Sequence, residues 1–404
     1  MMNILRDILV PRSLVLAPEK FGGETAGDCL RGDLHLSGSG PHHMIPSDHT
    51  KHPRMVLPAL TEAHCHLDKC HTGQRLGAVG GDLRQAITAQ RKDKENWTYS
   101  DLHTRMQIVM RDLQKSGCAH VRSHIDWSDG LDPPLAWSVL KDLAVDTHDL
   151  TVQSSALLGI DQLADKDFCS GVAQIISQTP GGVLGAFVLG HEKMQAGLRN
   201  AFEAAERFGL ALDFHVDEGL GNLNGLEMIC DTAIATKFEG PVLCGHAVSL
   251  IEKEGEDLSR IFDKLVRSGI AVCALPTTNL YLQDRQEGTP NRRGLTRLRE
   301  MAAADVPIVI GSDNVDDAFC PMGAHDPRAA LHLAALAAHL DPPMGQWLPL
   351  ITTHAEKAMG LACSYVDMAH VSKLRICAVS NTADLVAGRA PLLAVETALK
   401  EAAI

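Results

Sequence analysis

Between residues 55 and 312, short runs rich in β-branched and aliphatic residues recur eight times, each followed by a longer stretch with helical spacing. The strand candidates are 55–60, 120–126, 150–158, 183–189, 211–217, 242–247, 270–275 and 307–312, with helical stretches such as 101–116, 194–208, 257–268 and 292–303 between them. That rhythm predicts an α/β fold, a (β/α)8 TIM-type barrel. Residues 1–54 are instead rich in Gly, Ser, Pro and His around the pieces "SLVLAP" and "GDLHLSG", and 361–404 carry "RICAVSN" and "ADLVAG" as strand candidates. Neither end holds enough apolar residues for a core of its own. The two are therefore expected to form one small flanking β domain, 1–54 with 361–404, beside a catalytic barrel at 55–360. A chain of 404 residues, 45% hydrophobic, is long enough for a large domain and a small companion.

The formal charge of −13 argues against an extended nucleic-acid surface, and the basic run "NRRGLTRLRE" reads as the solvated start of a helix. Eleven cysteines, an odd number without any C-x-x-C pair, argue against a thiolate zinc cluster or a disulfide framework and fit a reducing compartment better. Arg6 and Asp7 interrupt the apolar N-terminal run, and no stretch approaches the roughly 20 apolar residues of a membrane helix. The expectation is a cytoplasmic protein with neither membrane nor nucleic-acid partner. The helix expected over "AALHLAALAAHL" (329–340) is apolar around much of its circumference, so burial against the barrel is favoured over a homo-oligomer interface, with both left open.

Chemistry in such a barrel gathers where the strands end. The segment "EAHCHLDK" (62–69) places His64 and His66 on one face of an extended chain, bracketed by Glu62 and Asp68. Later strand ends supply His124 and Asp126, His215 and Glu218, His246, and Asp313 with Asn314. His64, His66, His215 and Asp313 offer three nitrogens and one oxygen, a set suited to one Zn²⁺ or Fe²⁺ per chain that would activate a water. Glu218 is placed to move a proton from that water to a substrate nitrogen. His246 would orient the attacking group, and Asp313 would carry a second proton to the leaving group. Each residue has a plainer reading: His124 as a hydrogen-bonded support behind the ligands, Glu218 as the cap of a helix at 222–237, Asp313-Asn314 as an ordinary turn. Two decoys are set aside. "HAE" (354–356) lacks the downstream P-C-x-x-C of small zinc deaminases, and Lys193 falls beyond its strand end, too far to bridge a second metal.

With these residues the chain resembles the amidohydrolase superfamily, and within it the bacterial cytosine deaminases and related aminohydrolases. The likeness lies in "HCHLDKCHTG", "HVRSHIDWSD", "DFHVDE", "NLYLQDR", "NRRGLTRLREM" and "GSDNVDDAFCPMG", spread over about 55–360. It implies a mononuclear site with His64, His66, His215 and Asp313 as ligands and Glu218 and His246 as catalytic partners. It implies deamination of a small N-heterocycle of pyrimidine, triazine or creatinine type, with release of ammonia. Hydrolysis of a cyclic amide, or release of an alkylamine, is the alternative at the same site, and a metal-binding barrel without turnover is a third. Three positions expected to face substrate depart from the cytosine-deaminase pattern. Leu157, in "SSALLGI", stands where a glutamine would read the amide edge of cytosine; Asn314 replaces a second aspartate; Phe319 replaces a tryptophan. Leucine neither donates nor accepts, which argues against cytosine itself. The glycine-rich strand motifs usual in the flanking domain are also missing, so a reduced or irregular β domain is expected.

Overall fold

Strand β7 (Cys118–Asp126) is buried at every position but its last, although it contains His120, Arg122, Ser123 and His124. A strand covered on both faces needs helices outside and a filled interior, and seven further strands complete that arrangement. The computed structural model, which describes residues 3–38, 40–48, 50–77, 79–189 and 192–401, orders them as β6 (Leu60–Cys65), β7, β8 (Thr151–Gly159), β9 (Gly182–Val188), β10 (Ala211–Val216), β11 (Val242–His246), β12 (Ala271–Ala274) and β13 (Ile308–Ile310). All neighbours run parallel and in chain order. The ring is nearly closed: β13 returns to β6 through one bridge, Cys65 to Asp313. There the Asp313 N–H donates to the His64 carbonyl at 2.9 Å. The buried Glu62 carboxylate accepts from the Ser312 N–H at 3.1 Å and from the His64 N–H at 3.1 Å.

The apolar run at 55–60, expected to open the barrel, does not do so. Residues 54–58 form β5 (Arg54–Pro58), which pairs in parallel with β1 (Asn3–Pro11) and antiparallel with β14 (Leu374–Cys377) in a second sheet. Pro58 has no N–H to continue that ladder, and the chain crosses at Ala59 into the barrel as β6, which carries His64 itself. The second sheet runs β15 (Leu392–Ala394), β14, β5, β1, β3 (Cys29–Leu36), β2 (Glu24–Ala26), with β4 (His43–Ile45) on β3. Seven strands make it fuller than the reduced sheet expected; residues 1, 2, 39, 49 and 402–404 of that expected domain lie outside the described residues. Two pieces read as strands are not. In "SLVLAP" the chain turns through a 3-10 helix at Arg12–Leu14. "ADLVAG" lies on a helix, Thr382–Val386, because Asn381 caps it, its Oδ1 accepting from the Asp384 N–H at 2.8 Å. The run 292–303 is helical only over Leu298–Ala303, since Arg297 is engaged with the carbonyls of Leu250 and Ile251. The helix expected at 329–340 spans Pro327–Ala338 and buries Ala330, Leu331 and Ala334 while Leu336 stays exposed. No helix among the described residues is long and apolar enough to cross a membrane.

Inside the barrel the polar residues pair across strands. Arg122, fully buried, donates from Nη1 to Asp213 Oδ2 at 2.8 Å and from Nε and Nη2 to Gln153 Oε1 at 2.9 and 2.7 Å. Burial alone would raise the Asp213 carboxyl, but His124 and Arg122 outweigh it and keep it below the usual carboxylate range. Removing one member of such a pair leaves a bare charge in a dry interior. Arg122→Met is therefore expected to lower the unfolding free energy by roughly 3–5 kcal/mol. Urea melts of the two proteins at pH 7 check this; coincident midpoints would mean that Asp213 is neutral or solvated.

Candidate metal centre and active site

His64 and His66 alternate along the end of β6 and the first residue beyond it, so both rings turn into the barrel mouth. His215 arrives from β10, one strand pairing away from His246 at the tip of β11, and Asp313 follows β13. The cluster is tight. His66 Nε2 lies 3.1 Å from His215 Nε2 and 3.3 Å from Asp313 Oδ1, and His64 Nε2 lies 3.6 Å from the same oxygen. Two glycines give His64 its space: a Cβ on Gly245 would come within 2.7 Å of the His64 ring, and one on Gly311 within 3.0 Å of the His64 Cβ. His246 and Asp313 sit at φ +71° and +62°, a left-handed conformation that side chains other than glycine adopt at a cost and that turns each inward as its strand ends.

These donors fit a divalent cation. Burial, reinforced by adjoining imidazoles and, for His64 and His66, by Lys69, holds His64, His66 and His215 well below the usual histidine range, so they are neutral and present lone pairs. Both ring nitrogens of His64 are buried without a hydrogen-bond partner, a costly state for an imidazole unless a cation takes a lone pair. The His124 ring lies 4.0 Å from that of His64 at a tilt of 36°, with Nε2 2.9 Å from Asp213 Oδ1 and Nδ1 3.4 Å from the Cys65 carbonyl. His64, His66, His124 and His215 form one set of buried donors close enough to share an ion, and His64, His246 and Asp313 form a second that overlaps it.

Glu218 lies at the rim, its Oε2 3.7 Å from His246 Nε2. The helix-capping reading belongs to its neighbour. Asp217 accepts from the N–H groups of Gly225 and Leu226, both at 3.0 Å, at the start of the helix Gly225–Thr236. With that duty taken, Glu218 turns to the cavity, where burial and then the Asp313 charge push its carboxyl up to about 8. Asn279 Nδ2 approaches His246 Nδ1 at 3.0 Å. If that amide donates, the proton of His246 sits on Nε2, toward Glu218; burial first among causes lowers the ring to about 4, so it is neutral at pH 7.

A cavity of 730 Å³ opens onto this cluster, lined by His66, His215, Glu218, His246 and Asp313 and also by Leu157, Asn314 and Phe319. The three positions singled out as substrate-facing thus meet in one space. Asn314 is tied down, its Nδ2 donating to Asp317 Oδ2 at 2.6 Å. Four neighbours went unread in the sequence. Lys69 ends the "HLDK" motif, buried, with Nζ 2.9 Å from Asp126 Oδ1, 3.3 Å from His66 Nδ1 and 5.2 Å from the Phe319 ring centre. Asn279 lies in the quoted block "NLYLQDR". Asp317 and Gln90 are the others; Gln90 carries no motif at all. Lys193 and His354 are exposed and away from the cavity.

The amidohydrolase family profile matches residues 101–365. The chain belongs to the amidohydrolase family. A pterin deaminase of Rhizobium rhizogenes is 32% identical over 339 residues, covering 82% of this chain and 76% of that one. Among solved structures, 5-methylcytosine deaminase from Klebsiella pneumoniae superposes with a TM-score of 0.79 at 21% identity, covering 96% of this chain and 94% of that one. N-isopropylammelide isopropylaminohydrolase from Burkholderia multivorans gives 0.72 at 19% identity, covering 96% and 97%. These two share the amidohydrolase's fold.

A carboxyl raised in the folded state binds its proton more tightly there than in the unfolded chain. For Glu218 that contribution to stability is complete below pH 4.5 and is lost as pH rises through about 8. In the metal-free amidohydrolase, Glu218→Gln should therefore gain stability over the parent progressively between pH 4.5 and 8, on the order of several kcal/mol by the upper end. Adding Zn²⁺ should shrink the gain, because a cation nearby favours the ionised carboxylate. Denaturation at pH 4.5, 6 and 8 checks it, and a pH-independent difference would place Glu218 in water.

Proposed function

We propose that this amidohydrolase is a metal-dependent aminohydrolase that replaces the exocyclic amine of a small N-heterocycle with a carbonyl and releases ammonia. The observation that carries the reading is the set of neutral buried imidazoles and Asp313 beneath Glu218 and His246 at the floor of one cavity. His64, His66, His215 and Asp313 would hold one divalent ion, Zn²⁺ or Fe²⁺. When bound, such an ion supplies Lewis-acid activation of water.

The protein's own residues then account for the protons. Glu218, poised near neutrality, takes a proton from the attacking water and delivers it to the ring nitrogen beside the amine-bearing carbon, which would otherwise accumulate negative charge. Neutral His246, held by Asn279, donates from Nε2 toward the incoming oxygen. Asp313 passes the second proton to the departing amine, which leaves as ammonia only once protonated. Water plus the amidine-type carbon thus becomes a ring amide plus ammonia, with every proton accounted for.

The substrate class widens from the single rings expected from sequence. The pterin deaminase relative and a cavity of 730 Å³, large for one pyrimidine, support a bicyclic aminoheterocycle of pterin type. Leu157 in place of a glutamine speaks against cytosine. The measurement is ammonia release by zinc- or iron-loaded protein from pterin, 5-methylcytosine, isocytosine and creatinine, with Glu218→Gln beside it. The expected result is turnover of pterin, with kcat/KM falling roughly 10²–10⁴-fold in the variant. Ring opening without ammonia, or release of an alkylamine from N-alkylated rings, would replace deamination by the corresponding hydrolysis.

A further inference from the structure

The helix Leu83–Asp93 lies over the cavity and buries three residues, Ala86, Gln90 and Asp93, spaced to share one face. Ala86 asks for no partner and packs with Phe319 and Leu282. Asp93 is fully engaged, accepting from Arg75 Nε and Nη2 at 2.7 Å each and from Trp97 Nε1 at 2.7 Å. That clamp fixes the helix over the mouth. Gln90 differs: it is 2% exposed, it lines the cavity, and both its Oε1 and its Nε2 are buried without a hydrogen-bond partner. A carboxamide left so bears its full desolvation cost with nothing in return, and a leucine of similar length would avoid that cost. Leu157 lines the same cavity and can form no hydrogen bond through its side chain.

We propose that Gln90 is the residue that reads the substrate's edge, accepting from a ring N–H through Oε1 and donating to the adjacent ring carbonyl through Nε2, so that the preferred ligands are heterocycles with a lactam edge. The proposal rests on the deaminase reading for its reaction but not for its binding chemistry. A carboxamide presents one acceptor and one donor side by side, which is the complement of a lactam N–H and C=O. The helix that carries Gln90 is held by Asp93 rather than by the metal ligands, so the recognition element and the reacting centre are separate parts of the same cavity. A fixed pair of hydrogen bonds discriminates more sharply than apolar contact, because a ligand without the edge leaves both groups unpaired.

The direct test is binding of lumazine, a pteridine with lactam edges and no amine to lose, to zinc-loaded full-length protein and to Gln90→Leu, followed by fluorescence quenching. The proposal expects affinity to fall roughly 10–100-fold in the variant, with the melting temperature unchanged or raised. In turnover, kcat/KM for pterin should fall by a similar factor, mostly through KM, whereas 2-aminopteridine, which keeps the amine but has no lactam, should change less than about threefold. Equal lumazine affinity in both proteins would overturn the proposal. So would a lowered melting temperature with equal losses on both substrates, which would make Gln90 a structural residue. Loss of lumazine affinity in a protein that releases no ammonia from pterin would sustain the edge-reading role and overturn the deaminase reading alone.

Discussion

The seam between the first and last barrel strands governs the rest of the structure. Strands β6 and β13 meet through one bridge and one main-chain bond, Asp313 N–H to the His64 carbonyl. The Glu62 carboxylate supplements the missing ladder by accepting from Ser312 and His64, and burial pushes it up to about 7. That closure brings His64 and His66 from one end of the barrel sequence against Asp313 from the other. An ion held by all three would join the two strands that the backbone joins least. Metal affinity and barrel closure would then be parts of one free energy, as they are wherever a site is incomplete in the unfolded chain.

Around that seam the site is layered by burial. Arg122, Asp213 and His124 form a wholly buried column behind His64, with charges paired across strands. Above it lie the neutral imidazoles, and above those Glu218 and His246, where a carboxyl raised to about 8 faces an imidazole lowered to about 4. The left-handed residues Asp217, His246 and Asp313 sit at the ends of β10, β11 and β13. Local backbone strain is placed where the strands must turn their functional side chains, and the packed barrel beneath holds it there.

Much of this was legible in the sequence because both periods are simple. Alternation of strand and helix announces the barrel, and His64-x-His66 announces two side chains on one face. What misled was polarity. The run at 55–60 is the more apolar and looks like the first barrel strand, yet up to Pro58 it belongs to the outer sheet, while "LTEAHC" reads as polar because its residues line a functional interior. The capping role went to Asp217 rather than Glu218, a distinction of one residue that spacing does not resolve. The outer sheet is fuller than expected because main-chain pairing needs no glycine motif. Gln90 left no signal at all: its meaning lies in what it lacks in the folded chain, a partner.

The central claim is that one divalent ion sits at the seam. Crystals of zinc-loaded protein measured at the zinc absorption edge test it most directly. The account predicts a single anomalous peak about 2.0–2.2 Å from nitrogens of His64, His66 and His215 and from an oxygen of Asp313. A peak ligated by His124 in place of His215, or zinc bound only outside the barrel, would contradict it.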